Sequence, residues 1–215
     1  LVEGVRRFQT RHGLTADGVL GRGTFAALRV PLDTRVRQIE LSLERLRWLP
    51  HLEDGPLIGV NIPMFQLWAW DSAPRSPQPA LAMEVIVGRA LRTQTPVLVE
   101  EMDAVVFRPF WNVPASILRD EILPQLARNP AYLATQDMEV VAGAGDSAPV
   151  VALSPEVIDR LSRGELRVRQ RQGPKNALGL VKFVFPNDED VYMHDTPAPE
   201  LFSRDRRDFS HGCIR

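Results

Sequence analysis

The spacing of apolar positions changes along the chain, and each change predicts a different element. Over residues 1–30 it is helical: Leu1, Val5, Phe8 and Leu14 share a face, and Gly13 stands where a left-handed glycine ends the first helix. A turn follows at Thr15-Ala16-Asp17-Gly18, then Gly21-Arg22-Gly23 and a short helix over residues 24–28. Pro31 breaks this unit. Asp33 is placed to cap a second helix whose stripe of Val36, Ile39, Leu43 and Leu46 the spacing assigns to packing, ended by Pro50. This helix connects two domains, over residues 31–56.

From about residue 57 the pattern becomes that of strands: 57–60, 64–70, 81–87, 97–99 and 104–107, with a proline-rich turn at 71–79. Strands return at 166–169, 178–185 and 191–194. The acidic turn Pro186-Asn187-Asp188-Glu189-Asp190 lacks the loop length and glycine spacing of a calcium site and reads as a solvated hairpin. Between the strand blocks the pattern is helical again. Ser116 is placed to cap 117–123, Pro124 opens another turn, and Ser154-Pro155 opens 156–162 with proline at its favoured first position. The order predicts a helical insertion at about 112–163 within a mostly β domain spanning 57–215, a lid or binding arm or a plain elaboration.

Composition narrows the function classes. The chain has 215 residues, 44% of them hydrophobic and 25% charged, which is enough for a globular core. Lys+Arg number 26 against 27 Asp+Glu, so no strongly basic field holds nucleic acid by its phosphates. No apolar run approaches the roughly 18 residues of a membrane-spanning helix. The single cysteine, Cys213, excludes an internal disulfide and a zinc site of several thiolates. Lys175 and Lys182 are the only lysines, a bias that reads as genome composition rather than as a site. The chain opens without methionine and stops just past its cysteine. It therefore reads as an internal piece of a longer protein, with any export signal upstream.

The candidate chemistry centres on Cys213. A cysteine attacks as thiolate, and a nearby imidazole that takes the proton lowers a thiol from about 8.5 to roughly 3.5–7.5. Gly212 before it allows a sharp turn in which backbone N–H groups converge on a developing oxyanion. Of the four histidines, His12 and His51 flank helix ends and read as surface residues, while His194 and His211 lie near Cys213 in sequence. Residue chemistry alone leaves either as the base, and leaves open an inert buried cysteine.

Two resemblances go further. Phe8-Gln9, Gly13 to Gly21, Thr24 and Ala27-Leu28 resemble the second half of the small helical peptidoglycan-binding domain. His194-Asp195-Thr196-Pro197, a spacer, then Ser210-His211-Gly212-Cys213-Ile214-Arg215 resemble the signature of the L,D-transpeptidases of the YkuD type. Val87-Gly88-Arg89 with Thr95-Pro96, Trp111-Asn112-Val113-Pro114, and residues 173–179 match as well, as in the large periplasmic branch of that family.

The resemblance implies a mixed fold: a β-sandwich-like catalytic domain with an α-helical cap, preceded by a small α-helical wall-binding module. It implies Cys213 as nucleophile and His194 as base, then acid, with its orientation set by a backbone carbonyl rather than by Asp195 as a triad member. It implies an oxyanion hole at Gly212 and Cys213 lined by His211. Arg215, Tyr192 and Ser210 are implied at the substrate. The implied partners are peptidoglycan stem peptides, a tetrapeptide donor and an amine acceptor, with carbapenems as covalent inhibitors. No metal or cofactor is implied, and the implied location is the periplasm. A cysteine peptidase acting on stems and a non-catalytic wall-binding protein are the rival readings.

Overall fold

The computed structural model describes residues 1–49, 55–72 and 78–215. Pro50, His51 and the centre of the proline-rich turn lie outside the described residues. The chain divides into two compact units, 1–99 with 200–211, and 100–199 with 212–215. Helices and several small sheets make up a mixed fold. Among the described residues no helix is long and apolar enough to cross a membrane.

In the first unit, helix α1 (Val2–Arg11) ends where Gly13 takes φ 63° and the Leu14 N–H donates to the Gln9 carbonyl at 3.0 Å. Gln9, 1% exposed, organises the next turn of the chain. Its amide donates to Asp17 Oδ1 at 2.8 Å, to the Val19 carbonyl at 2.9 Å and to Thr24 Oγ1 at 3.1 Å, and its oxygen accepts from Gly18 N–H at 2.8 Å. The turn and the start of α2 (Arg22–Leu28) thus close around one buried polar side chain with its partners in place.

Several expectations change here. Leu1 is exposed rather than packed. Helix α3 (Leu32–Leu46) starts from Pro31, and Asp33 sits in its first turn. The stripe assigned to packing is exposed: Val36 55%, Ile39 61%, Leu43 55% and Leu46 60%. Helical spacing fixes which residues share a face but supplies no surface to cover it.

An antiparallel sheet is formed by β1 (Leu57–Asn61), β2 (Gln66–Trp70) and β3 (Leu81–Glu84). Met64, expected in a strand, belongs to the 3₁₀ turn Ile62–Met64. The expected strand 81–87 breaks after Glu84 and resumes as β4 (Val87–Gly88). The buried Arg207 spans the break, donating to the Val85 and Phe65 carbonyls, each at 3.3 Å, and pairing with Glu84 at 3.3 Å.

β4 runs parallel to Asp208–Ser210. Gly88 must be glycine there, because a Cβ would run into the Thr93 carbonyl oxygen. Its N–H donates to Thr95 Oγ1 at 2.8 Å, while Thr93 Oγ1 donates to the Ser210 carbonyl at 3.0 Å. Residues 97–99 form no strand, and the adjoining Pro96 has no N–H to give to a ladder.

The second unit carries β5 (Ala104–Phe107) and β6 (Trp111–Asn112), followed by helices. The turn α4 (Ala115–Ile117) runs through a π-helical Leu118–Ile122 into α5 (Leu123–Arg128), and α6 (Tyr132–Thr135) follows. α4 starts from Pro114, with no cap from Ser116. The segment read as helical also holds two strands, β7 (Met138–Val141) and β8 (Val150–Val151). The α7 helix (Pro155–Ser162) starts as expected, with Ser154 Oγ accepting from Val157 N–H at 3.3 Å.

β9 (Arg167–Gln170) completes an antiparallel sheet in the order β6-β9-β7-β8. Leu118, Ile122, Leu126, Leu133, Leu161 and Leu166 pack with Val140 and Val168 into its core. Arg169, 6% exposed, donates to Glu139 Oε1 at 2.7 Å and to the Asp146 carbonyl at 2.6 Å, which ties the 143–147 loop to the sheet. A second sheet of this unit has the order β11-β10-β5, with β10 Val181–Val184 and β11 Met193–His194.

Candidate active site

The register of this second sheet assembles the site. β10 and β11 are antiparallel, with Lys182 opposite His194 and Phe183 opposite Met193. On the far side of β11, Met193 bridges Ile214 in parallel. The His194 N–H donates to the Ile214 carbonyl at 2.9 Å, and the Ile214 N–H to the Tyr192 carbonyl at 3.1 Å. Side chains alternate across a pleated sheet, so Met193, Phe183 and Ile214 share one face while Lys182, Tyr192, His194, Cys213 and Arg215 share the other.

Contacts on that face agree. Lys182 Nζ lies 3.8 Å from the centroid of the Tyr192 ring, and the Tyr192 and His194 rings are 5.8 Å apart. Tyr192 hydrogen-bonds to the Cys213 thiol and accepts from the Trp111 indole. The thiol also points at the Asp190 carbonyl, 3.9 Å away. Asn187 shapes the acidic turn before it, donating to the Phe185 carbonyl at 2.9 Å and the Val191 carbonyl at 2.7 Å.

His194 is 6% exposed, and its Nδ1 lies 2.5 Å from the Asp195 carbonyl oxygen. A carbonyl only accepts, so Nδ1 carries the proton and Nε2 is the basic nitrogen. The Asp195 carboxylate is engaged elsewhere, accepting from Leu180 N–H at 2.9 Å. Burial, then the charges of Arg215 and Lys182, push His194 down to about 4 despite the carbonyl bond. Burial likewise pushes the Cys213 thiol up, against the opposing effects of Tyr192, Arg215 and Lys182. The resting pair is therefore a neutral thiol beside a neutral imidazole. Sequence chemistry had allowed a depressed thiol, but burial outweighs the nearby positive charges.

Gly212 is buried at φ 125°, a left-handed angle, although a Cβ would meet Val191 Cγ2 at an ordinary 3.5 Å. The backbone angle, not lack of space, requires glycine there. Among the sequence candidates, His194, Tyr192, Cys213 and Arg215 come together. His211 is exposed, and Ser210 is fully buried in its strand with no surface to offer a ligand. Lys182 was not singled out as a site residue. A lysine within an apolar run signals only an outward-facing position, and here that face carries the thiol.

A family model described as the L,D-transpeptidase catalytic domain matches residues 56–215. The chain belongs to the L,D-transpeptidase family. A second model, described as "Putative peptidoglycan binding domain", matches residues 1–28 of the same L,D-transpeptidase chain. A curated protein of Haemophilus influenzae named "Putative L,D-transpeptidase" is 33% identical over 179 residues, which cover 83% of this chain and 35% of that protein. The chain thus spans about 35% of the length of this relative.

Proposed function

We propose that this chain is the peptidoglycan-processing part of an L,D-transpeptidase, with Cys213 as nucleophile and His194 as its base. The observation that carries the reading is the carbonyl-locked His194 sharing a sheet face with Cys213 across one ladder. His194 Nε2 takes the thiol proton as sulfur attacks the carbonyl of the third residue of a tetrapeptide stem. The N–H groups of Gly212 and Cys213 stabilise the oxyanion. The tetrahedral intermediate collapses to a thioester, and His194 returns the proton to the departing D-alanine amine. A second stem's side-chain amine then attacks the thioester and gives up its proton through His194. Sulfur leaves and is reprotonated, and a 3→3 cross-link remains. Attachment of a protein lysine is the same chemistry with another acceptor.

Arg215 and Tyr192 bind substrate in this reading. The catalytic part takes a sandwich-like arrangement of sheets, the module at residues 1–30 holds the wall, and the protein works in the periplasm, where carbapenems acylate Cys213.

The test is mass spectrometry after incubating the protein and its Cys213→Ala variant with disaccharide-tetrapeptide. A cross-linked dimer that has lost one D-alanine, absent with the variant, is the expected result. Tripeptide alone supports a carboxypeptidase. Turnover by the variant, or none by the folded parent, overturns the reading.

A further inference from the structure

Lys182 has no assignment in this chemistry. It stands opposite His194 on the face that carries Cys213, part-buried, with its Nζ over the Tyr192 ring. The other lysine, Lys175, is spent on structure: its ammonium is exposed and donates to the Thr135 carbonyl at 2.8 Å. A second cation, Arg215, shares the face with Lys182. Two positive charges beside a neutral thiol and a neutral imidazole suit an anionic ligand, and for a base alone they are a burden because both disfavour its protonated form.

Resting on the transpeptidase reading, we infer that Lys182 is a specificity-determining residue that binds the free C-terminal carboxylate of the donor peptide, one residue beyond the attacked carbonyl. The spacing fits. Two ladder steps, roughly 10 Å, separate the Lys182 and Cys213 backbones. A carboxylate one residue past the reacting carbonyl lies about 4 Å along the substrate, within the interval that the lysine side chain crosses. The Tyr192 ring holds the ammonium on that side by cation–π attraction and keeps an otherwise flexible arm directed at the thiol. The ionised form of Cys213, and after it Asp190 and Asp146, act on the ammonium through their charge, and among the described residues no direct ion pair neutralises it.

The charge is read first without the transpeptidation reaction. Cys213 is alkylated with iodoacetate, which is anionic, and with iodoacetamide, its neutral counterpart, and the ratio of the two rates is taken. Any general effect of a variant on the thiol cancels in that ratio. Lys182→Met should lower the ratio by roughly three- to tenfold while Lys182→Arg keeps most of it. The second readout is kcat/KM for tetrapeptide donors with a free or an amidated C-terminus. The parent should prefer the free acid by about tenfold or more, and Lys182→Met should lose that preference chiefly through KM. An unchanged alkylation ratio, or a preference retained in Lys182→Met, overturns the inference while the transpeptidase reading stands. A lowered ratio with no turnover of either donor by the parent overturns the carboxylate role together with the transpeptidase reading.

Discussion

Acidification should leave the site working well below the range in which an ordinary histidine base fails. Burial and two neighbouring cations push His194 down to about 4, against an ordinary value of about 6.5. That gap corresponds to about 3 kcal/mol in favour of the neutral ring. At about pH 5.5 an ordinary imidazole is roughly nine-tenths protonated, whereas this one is protonated to only a few per cent. The acid limb of kcat/KM for the donor should therefore fall near 4.

Stability carries the same signature. Because the folded-state value lies below the unfolded one, the unfolded chain binds the proton first as the pH falls through about 6.5. About 3 kcal/mol of unfolding free energy present above that point is lost progressively down to about pH 4. Denaturant titrations of the parent and of His194→Gln at several pH values between these limits isolate the effect, since the remaining titrating groups are common to both. Arg215→Gln should shift the acid limb upward yet leave it below the ordinary value, because burial is the larger cause. An acid limb at about 6.5 in the parent, or parallel loss of stability in parent and His194→Gln, would refute the reasoning.

Substitutions in the backbone turn and in the helical module should have distinct outcomes. Gly212→Ala meets no steric obstacle but places an L-residue at φ 125°, so it should cost about 1–3 kcal/mol or shift the turn, seen as lower melting temperature or as slower Cys213 acylation. Gln9→Leu removes the centre of the network around Asp17, Gly18, Val19 and Thr24. About 1–3 kcal/mol of unmet polar groups should appear as lost amide-exchange protection at Gly18 and early melting of residues 1–28.

Some of the strands and the family motifs were the readable part of the sequence. Ala104–Phe107 carries its apolar run in one uninterrupted strand, and Ser154-Pro155 carries a complete start signal for α7. The string Asp17-Gly18 to Thr24 was readable as a pattern, but that one buried amide is its reason lies in tertiary geometry. The β7–β8 hairpin was missed although its signal was present: valine runs at 140–141 and 150–151 flank a Gly-Ala-Gly-Asp turn. The exposure of the α3 stripe and the position of Lys182 were out of reach, because both depend on which face a neighbour covers. The drop in His194 was equally hidden, since it arises from burial that no local pattern records.

The group that orients the His194 imidazole belongs to the main chain. Every amino acid placed at 195 still supplies the carbonyl oxygen that receives the His194 Nδ1 proton. A substitution scan at that position reports on the carboxylate's grip on Leu180 and on the turn beyond it, and is blind to the hydrogen bond that sets the imidazole's tautomer. The arrangement therefore resists genetic erosion at its most delicate point: drift at residue 195 can loosen a loop, while the imidazole keeps its bearing for as long as the ladder on either side of it holds.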